Sequence, residues 1–394
     1  MILRIALRYK RTLLYLIKNF DFKDVLNFLY IKLFIPTGEG AGGFFYLILP
    51  PSFRRSPFLK SHPRCLGLEV TTVCNLQCNM CEHSYWKEQE ERHLSFEEFK
   101  YILSQFPELR SINPTGEGSA FLNPDYIKML RYLKNKHIFV YFIDNFMNID
   151  EDLSRELIRM GVDGIYVSID AACKETYEKI RIGGDFDKVK TNLKRFLEIK
   201  KILNSPLPEL CSRYTIQKCN IQEMPDFVEF IASFGNRDDF GDGARIDFCG
   251  ILDFEEIDHL VQERLPQSII LDTLKRSKEK DIEILFQHIG TKDAINPNPS
   301  IDFCLCWLEP FIMIGGYVLP CCSVVMSNRR HILRERAFGN VFNTPFKEIW
   351  NSARYKRFRS FCKNPTSPVP KFCVDCRVFE TRQRIKKYGI DYDL

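Results

Sequence analysis

Cys74, Cys78 and Cys81 in the stretch CNLQCNMC place three soft thiol ligands within eight residues, in the pattern C-x3-C-x2-C. A structural zinc site would need a fourth Cys or His at finger-like spacing, and His83, two residues further on, is a candidate for it. Three thiolates without a fourth describe a different centre, a four-iron cluster whose remaining iron is open to a small molecule. A second ligand-rich region follows later, with FCLCWLEPFIMIGGYVLPCC at 303–322 and KFCVDC at 371–376. Residues 301–377 hold seven of the fifteen cysteines.

Fifteen cysteines in 394 residues are too sparse for a disulfide scaffold. No signal peptide with a cleavage site precedes them, so thiols in ligand-like sets point to a reducing cytosol and metal or iron-sulfur chemistry. Hydrophobic residues at 45% and charged residues at 27% exclude disordered and fibrous classes. A net charge of +5, with no basic run interleaved with stacking aromatics, gives no case for nucleic-acid binding. The first 35 residues mix apolar side chains with Arg4, Arg8, Lys10, Arg11, Lys18, Lys23 and Lys32 against Asp21 and Asp24. They contain no uncharged run of the roughly 20 residues that a membrane span needs. This basic amphipathic pattern suits a helix that caps the core or one that lies on an anionic membrane surface. GEGAGGFFYLILPP at 38–51 then reads as a glycine-rich turn and a short apolar segment.

These ligands must be held by a scaffold, and from about residue 64 apolar strand-like runs alternate with helical patterns. Strands are expected at Leu66–Thr71, Ser111–Thr115, Ile138–Ile143, Gly164–Ile169, Cys211–Ile216 and Arg245–Phe248. Helices are expected at Ser95–Gln105 with Ser95 as N-cap, Pro124–Asn135, Glu151–Met160, a pair across Lys174–Lys201, and Met224–Phe234. Six β/α units predict an α/β fold, a partial (β/α)6 TIM-like barrel with its chemistry on the loops after the strands. CNLQCNMC follows the first strand directly. The expected domains are an N-terminal extension at 1–60, the barrel at 61–252, a helical connector at 253–300, a cysteine-rich domain at 301–380 and a tail at 381–394.

With C-x3-C-x2-C after the first strand of such a barrel, the sequence resembles the radical S-adenosylmethionine (SAM) enzymes. The resemblance implies that Cys74, Cys78 and Cys81 ligate a [4Fe-4S] cluster whose open iron chelates SAM, with Met80 near the adenine. Met80 equally reads as the filler of an apolar gap. NPTGEGSAFLNPD after the second strand is similar to the family's GGEP segment: Gly116, Glu117 and Pro124 fit, Thr115 stands for the first glycine and Gly118 for the proline. Glu117 would accept from the SAM ammonium. FIDNFM supplies Asn145 where the family has a TNG-like turn, with both neighbours different. GVDGIYVSIDAACKETYEKIRIGG resembles the segment that offers Ser168 and Arg181 to SAM, Arg181 to its carboxylate. Asp170 belongs to the same segment, or else caps the following helix. Cys249, in DFCG, is the lone cysteine best placed to face the barrel mouth.

The C-terminal pattern resembles the SPASM or shorter twitch extension, which holds an auxiliary iron-sulfur cluster. It implies ligands at Cys321, from G-x4-C at Gly316–Cys321, at Cys373 and Cys376, and upstream at Cys304 or Cys306, with Cys304 preferred. Cys322 and Cys362 have no assigned role, and the cysteine-free tail implies one auxiliary [4Fe-4S] cluster. The family's chemistry is reductive cleavage of SAM to a 5′-deoxyadenosyl radical that abstracts hydrogen from substrate, with an electron donor such as flavodoxin or ferredoxin. In that family the auxiliary cluster accepts an electron from the substrate radical, which would make the outcome oxidative, or binds substrate directly, or relays electrons. The substrate is a small molecule, a sugar, a lipid-linked group or a peptide. The absence of a recognisable leader-binding strand set before residue 60 weighs against a peptide maturase. A zinc-binding scaffold without catalysis is the alternative from another class.

Overall fold

The computed structural model describes residues 7–34, 62–86, 90–251, 254–262, 265–287, 308–322, 329–363, 368–374, 386–387, 389–391 and 393. All six expected strands form, as β1 (Cys65–Leu68), β2 (Ser111–Asn113), β3 (Phe139–Asp144), β4 (Gly164–Ser168), β5 (Glu209–Ile216) and β6 (Ile246–Gly250). They stand side by side in chain order and all are parallel. The intervening helices are α3 (Phe96–Ser104), α4 (Tyr126–Asn135), α5 (Glu151–Met160), α6 (Lys174–Ile180), α7 (Phe186–Ile202) and α8 (Met224–Ala232). Ser95 caps α3 in a reciprocal capping box with Glu98. Leu66, Val140, Phe142, Ile165, Val167 and Tyr214 turn outward and are buried beneath these helices. The opposite faces of the same strands line the barrel interior.

The sheet is wider than six strands. The segment expected to be a helical connector contains a helix, Gln267–Glu279, but then β7 (Ile284–Gln287), which pairs parallel with β6. EILFQ is too short, and too close to charged helical sequence, for its alternation to register as a strand. On the other edge β8 (Phe311–Met313) pairs parallel with β1 and turns back as β9 (Tyr317–Leu319). The cysteine-rich segment is therefore built into the barrel sheet. Glu69, fully buried just after β1, accepts from Ile314 N at 2.9 Å and pairs with Arg330. The Arg330 guanidinium lies 4.5 Å from the centroid of the Trp86 ring.

The N-terminal residues in the description form α1 (Lys10–Asn19) and α2 (Phe22–Phe34), which cap the sheet where its strands begin. Tyr9, Leu16, Val25, Phe28 and Ile31 pack on Cys65, Phe139 and Leu207. Lys32 reaches Glu209, at the start of β5, at 2.9 Å with both side chains almost wholly buried. Its ammonium also lies 4.6 Å from the Tyr9 ring centroid. Removing one partner of a buried pair strands the other charge, so Lys32→Met is expected to cost about 3–5 kcal/mol. Urea unfolding monitored on the full chain measures it, and an unchanged midpoint would show that the pair contributes nothing. The glycine-rich stretch at 38–51 lies outside the described residues.

Candidate functional site

The loop from Cys74 to Cys81 lies above the C-terminal end of β1 and is braced by backbone. Gln77 N donates to Ile182 O and Asn79 N to Ile180 O, each at 2.9 Å, so the segment after α6 runs alongside the loop. Ser84 Oγ donates to Cys78 O at 2.8 Å, Tyr85 OH to Asn79 O at 2.7 Å, and Gln217 Nε2 to Asn79 Oδ1 at 3.2 Å. Leu76, Met80, Ile180, Ile251 and Ile257 form an apolar cluster against which Cys74 and Cys81 pack. Met80 thus fills an apolar gap beside the thiols. Burial pushes all three thiols up, Cys78 to about 11, with Arg181 opposing the rise at Cys74 and Cys78. A bound metal would take them as thiolates.

Two observations decide which centre these donors fit. One zinc ion bonded to three sulfurs at about 2.3 Å would hold those sulfurs about 3.8 Å apart. Among the described residues, the only set of three such ligand atoms lying within 4.8 Å of one another is Cys81, Glu82 and Glu117, and the three thiols are too far apart to meet that limit. His83, the candidate fourth ligand, has its Nε2 2.9 Å from Thr72 O, and its ring lies tilted against Trp86 with centroids 4.5 Å apart. Three spread thiols without His83 fit a cluster in which each cysteine bonds its own iron.

Of the other expected residues, Arg181, Glu117 and Asn145 reach this loop. Asp170 and Arg181 form a buried ion pair. Arg181 Nη1 lies 3.9 Å from Cys78 Sγ, while its Nε–H is buried without an acceptor. An unpaired buried donor beside the thiols fits a ligand carboxylate. Asp170 caps no helix. It sits at φ 61°, takes Thr215 N at 2.6 Å on Oδ1, and leaves Cys173 at the N-cap position of α6. Ser168 ends β4, in register with Arg213 on β5.

Glu117 also reaches the loop, with its carboxyl hydrogen-bonded to Glu82 beside Cys81. Burial, reinforced by Glu82, raises its pKa well above the usual carboxylate range. A Cβ on Gly116 would strike the Glu69 side chain at 2.2 Å, and one on Gly118 would lie 2.6 Å from the Thr71 and Val73 carbonyl oxygens. Glycine at these two positions lets the segment lie against the start of the cysteine loop. Asn145 Nδ2 donates to Asn75 Oδ1 at 3.0 Å and its Oδ1 accepts from Met147 N at 2.9 Å. Asn145 therefore ties the β3 turn to the cysteine loop. Phe146 follows it at φ 61°, a conformation that favours glycine.

Glu82 and Asp144 were not singled out from the sequence. Glu82 follows Cys81 directly, a signal that adjacency offered. Asp144, whose carboxyl burial pushes up to about 7, ends β3 and carried no motif.

In the C-terminal region Cys321 follows β9, and Cys373 ends a short turn at Lys371–Cys373, both buried. Cys362, on the helix Ala353–Lys363, is also buried. Cys304, Cys306 and Cys376 lie outside the described residues.

Comparison with known proteins identifies two family models along the chain. Residues 68–231 match the family model of the Radical SAM superfamily, and residues 304–377 match SPASM, an iron-sulfur cluster-binding domain. The chain is 25% identical over 342 residues to the tungsten-containing aldehyde ferredoxin oxidoreductase cofactor-modifying protein of Pyrococcus furiosus, covering 83% of this chain and 90% of that one. It is 24% identical over 346 residues to the AdoMet-dependent heme synthase of Methanosarcina barkeri, covering 80% and 91%. Among solved structures, SuiB of Streptococcus suis bound to S-adenosylmethionine superposes with a TM-score of 0.58 at 15% identity, over 84% of this chain and 77% of SuiB. At that identity the likeness speaks to the fold alone.

Proposed function

The chain belongs to the radical SAM superfamily and carries a SPASM iron-sulfur domain, and from that premise we propose that it oxidatively modifies a small-molecule substrate, with Cys74, Cys78 and Cys81 holding the SAM-binding cluster. These three cysteines would hold a [4Fe-4S] cluster, whose chemistry there would be one-electron reduction of SAM, releasing methionine and a 5′-deoxyadenosyl radical. The protein's own part is placement. Leu76, Met80, Ile180, Ile251 and Ile257 keep water from the cysteine loop. Arg181 offers its Nε–H to the SAM carboxylate, Ser168 lies on the same side, and Glu117 exchanges its hydrogen bond with Glu82 for the SAM ammonium. Cys321 and Cys373, with Cys376 and Cys304, hold one auxiliary cluster. Flavodoxin or ferredoxin donates electrons in the cytosol.

The observation that carries this reading is the buried Arg181, set between Asp170 and Cys78 with one N–H unpaired. A cofactor-like substrate is favoured by the two full-length relatives, one named a cofactor-modifying protein and the other a heme synthase. Anaerobic purification should yield brown protein with iron and sulfide each near about eight per chain, as two four-iron clusters require. Dithionite and SAM should then give 5′-deoxyadenosine. A colourless zinc protein would overturn the reading.

The N-terminal helices add a finer proposal, contact with an anionic membrane surface. Among the described residues no helix is long and apolar enough to cross a membrane. The outer face of α1 and α2 nevertheless exposes Leu14 (58%), Ile17 (62%) and Phe22 (69%) among Lys10, Arg11, Lys18 and Lys23. Apolar side chains ringed by lysine and arginine suit a headgroup boundary. The chain should float with anionic liposomes, and Ile17→Glu with Phe22→Glu should abolish flotation. Equal flotation of the variant would remove the proposal.

A further inference from the structure

Along β3, β4 and β5 the helix-facing side chains are wholly buried, whereas Tyr141, Ile143, Tyr166, Arg213 and Thr215 on the opposite face are only partly buried, beside the buried Phe139, Ser168 and Cys211. In a packed barrel the inner face would be the more buried one. The reversed pattern marks an interior with open space next to the SAM-binding residues. Ser168 and Arg213 are register neighbours, and Arg213 is next to Asp247 across β5 and β6.

Among the described residues, the acidic groups of this space each have a partner other than Arg213. Asp247 is held by Arg245, Nε to Oδ1 at 2.5 Å and Nη2 to Oδ2 at 3.2 Å. Asp170 is held by Arg181. Glu309 accepts from Tyr141 OH at 2.9 Å. Arg213 itself faces the Cys249 thiol and feels the carboxylate of its register neighbour Asp247, which Arg245 already engages. Its guanidinium lies 5.7 Å from the Tyr166 ring centroid, and among the described residues it has no carboxylate within ion-pair distance. A partly buried cation whose nearest carboxylate is held by a second arginine gains from an anion that a ligand supplies.

We infer that Arg213 is the receptor for an anionic group, a carboxylate or a phosphate, of the substrate that enters the barrel. The Tyr166 ring lies within cation–π range of the guanidinium, and Cys249 and Ser168 flank the place the anion takes. This inference rests on the radical SAM reading and names a substrate class for it. It also makes Arg213 a specificity determinant that no cysteine or glycine motif points to.

The test uses holoenzyme loaded with both clusters and saturated with SAM, without reductant, titrated calorimetrically with inorganic phosphate and separately with propionate. One of the two should bind saturably, and its identity tells phosphate from carboxylate. Arg213→Gln should weaken that binding by about 10- to 100-fold, the worth of a charge-assisted hydrogen bond. Arg213→Lys should recover part of it as a point charge. Iron content and SAM affinity of both variants should match the wild type. The inference is overturned if neither anion binds the wild type, if Arg213→Gln binds equally well, or if that variant loses SAM, which would give Arg213 to the SAM carboxylate. Failure of wild-type protein to form 5′-deoxyadenosine under dithionite would sink the underlying reading instead, and the anion titration is read independently of it.

Discussion

Replacing Cys78 with alanine is expected to leave a folded protein that carries about half of the wild-type iron and forms no 5′-deoxyadenosine. The fold should persist because a cysteine packs as a small apolar residue, and trimming one sulfur from a loop held by backbone hydrogen bonds costs on the order of 1 kcal/mol. The activity should not. Changes that touch only the partners of a ligand cost roughly 10- to 100-fold in affinity or rate, and deleting the ligand itself should exceed that range. Cys65→Ala supplies the contrast. Cys65 is equally buried but lies under the N-terminal helices. Its loss should leave iron and SAM cleavage intact. Iron analysis with product chromatography on the two variants decides the matter, and full iron with retained cleavage in Cys78→Ala would refute the site.

The order of the six central strands, and the loop on which the cysteines sit, were legible because both depend on local pattern. Alternating burial marks a strand, and C-x3-C-x2-C marks a ligand set wherever it occurs. The edges of the sheet were not legible. β7 has four residues, and β8 lies more than two hundred positions along the chain from the β1 edge it completes. Nothing local in FIM predicts pairing with Gly67 and Leu68. The Asp170–Arg181 pair shows the same limit within the site. Both residues were visible as candidates, yet whether Asp170 capped a helix or held the arginine depended on its left-handed backbone and on Thr215 from the next strand. Arg213 was missed because an unpaired charge shows only when every neighbouring carboxylate has been placed.

Asp170→Ala is expected to be the most destabilising single change near the site. Asp170 is fully buried, and its removal has three consequences. Arg181 keeps its charge without its partner, worth about 3–5 kcal/mol by analogy with other broken buried pairs. Thr215 N–H loses its acceptor at 2.6 Å. The backbone at φ 61° then carries an alanine, which lacks the local hydrogen bonding that lets Asp or Asn occupy that region and adds about 1–2 kcal/mol. Asp170→Asn separates these effects, since it keeps an acceptor for Thr215 and tolerates the backbone while losing only the charge. Stability should therefore fall from wild type to Asn to Ala in urea unfolding. SAM affinity should fall in both variants by about tenfold or more, because Arg181 loses the anchor that aims its Nε–H. Equal stabilities of Asn and Ala would assign the whole cost to the lost charge and remove the backbone argument. Unchanged SAM affinity in Asp170→Asn would detach Arg181 from the ligand and leave the pair a purely structural tie between the end of β4 and the end of α6.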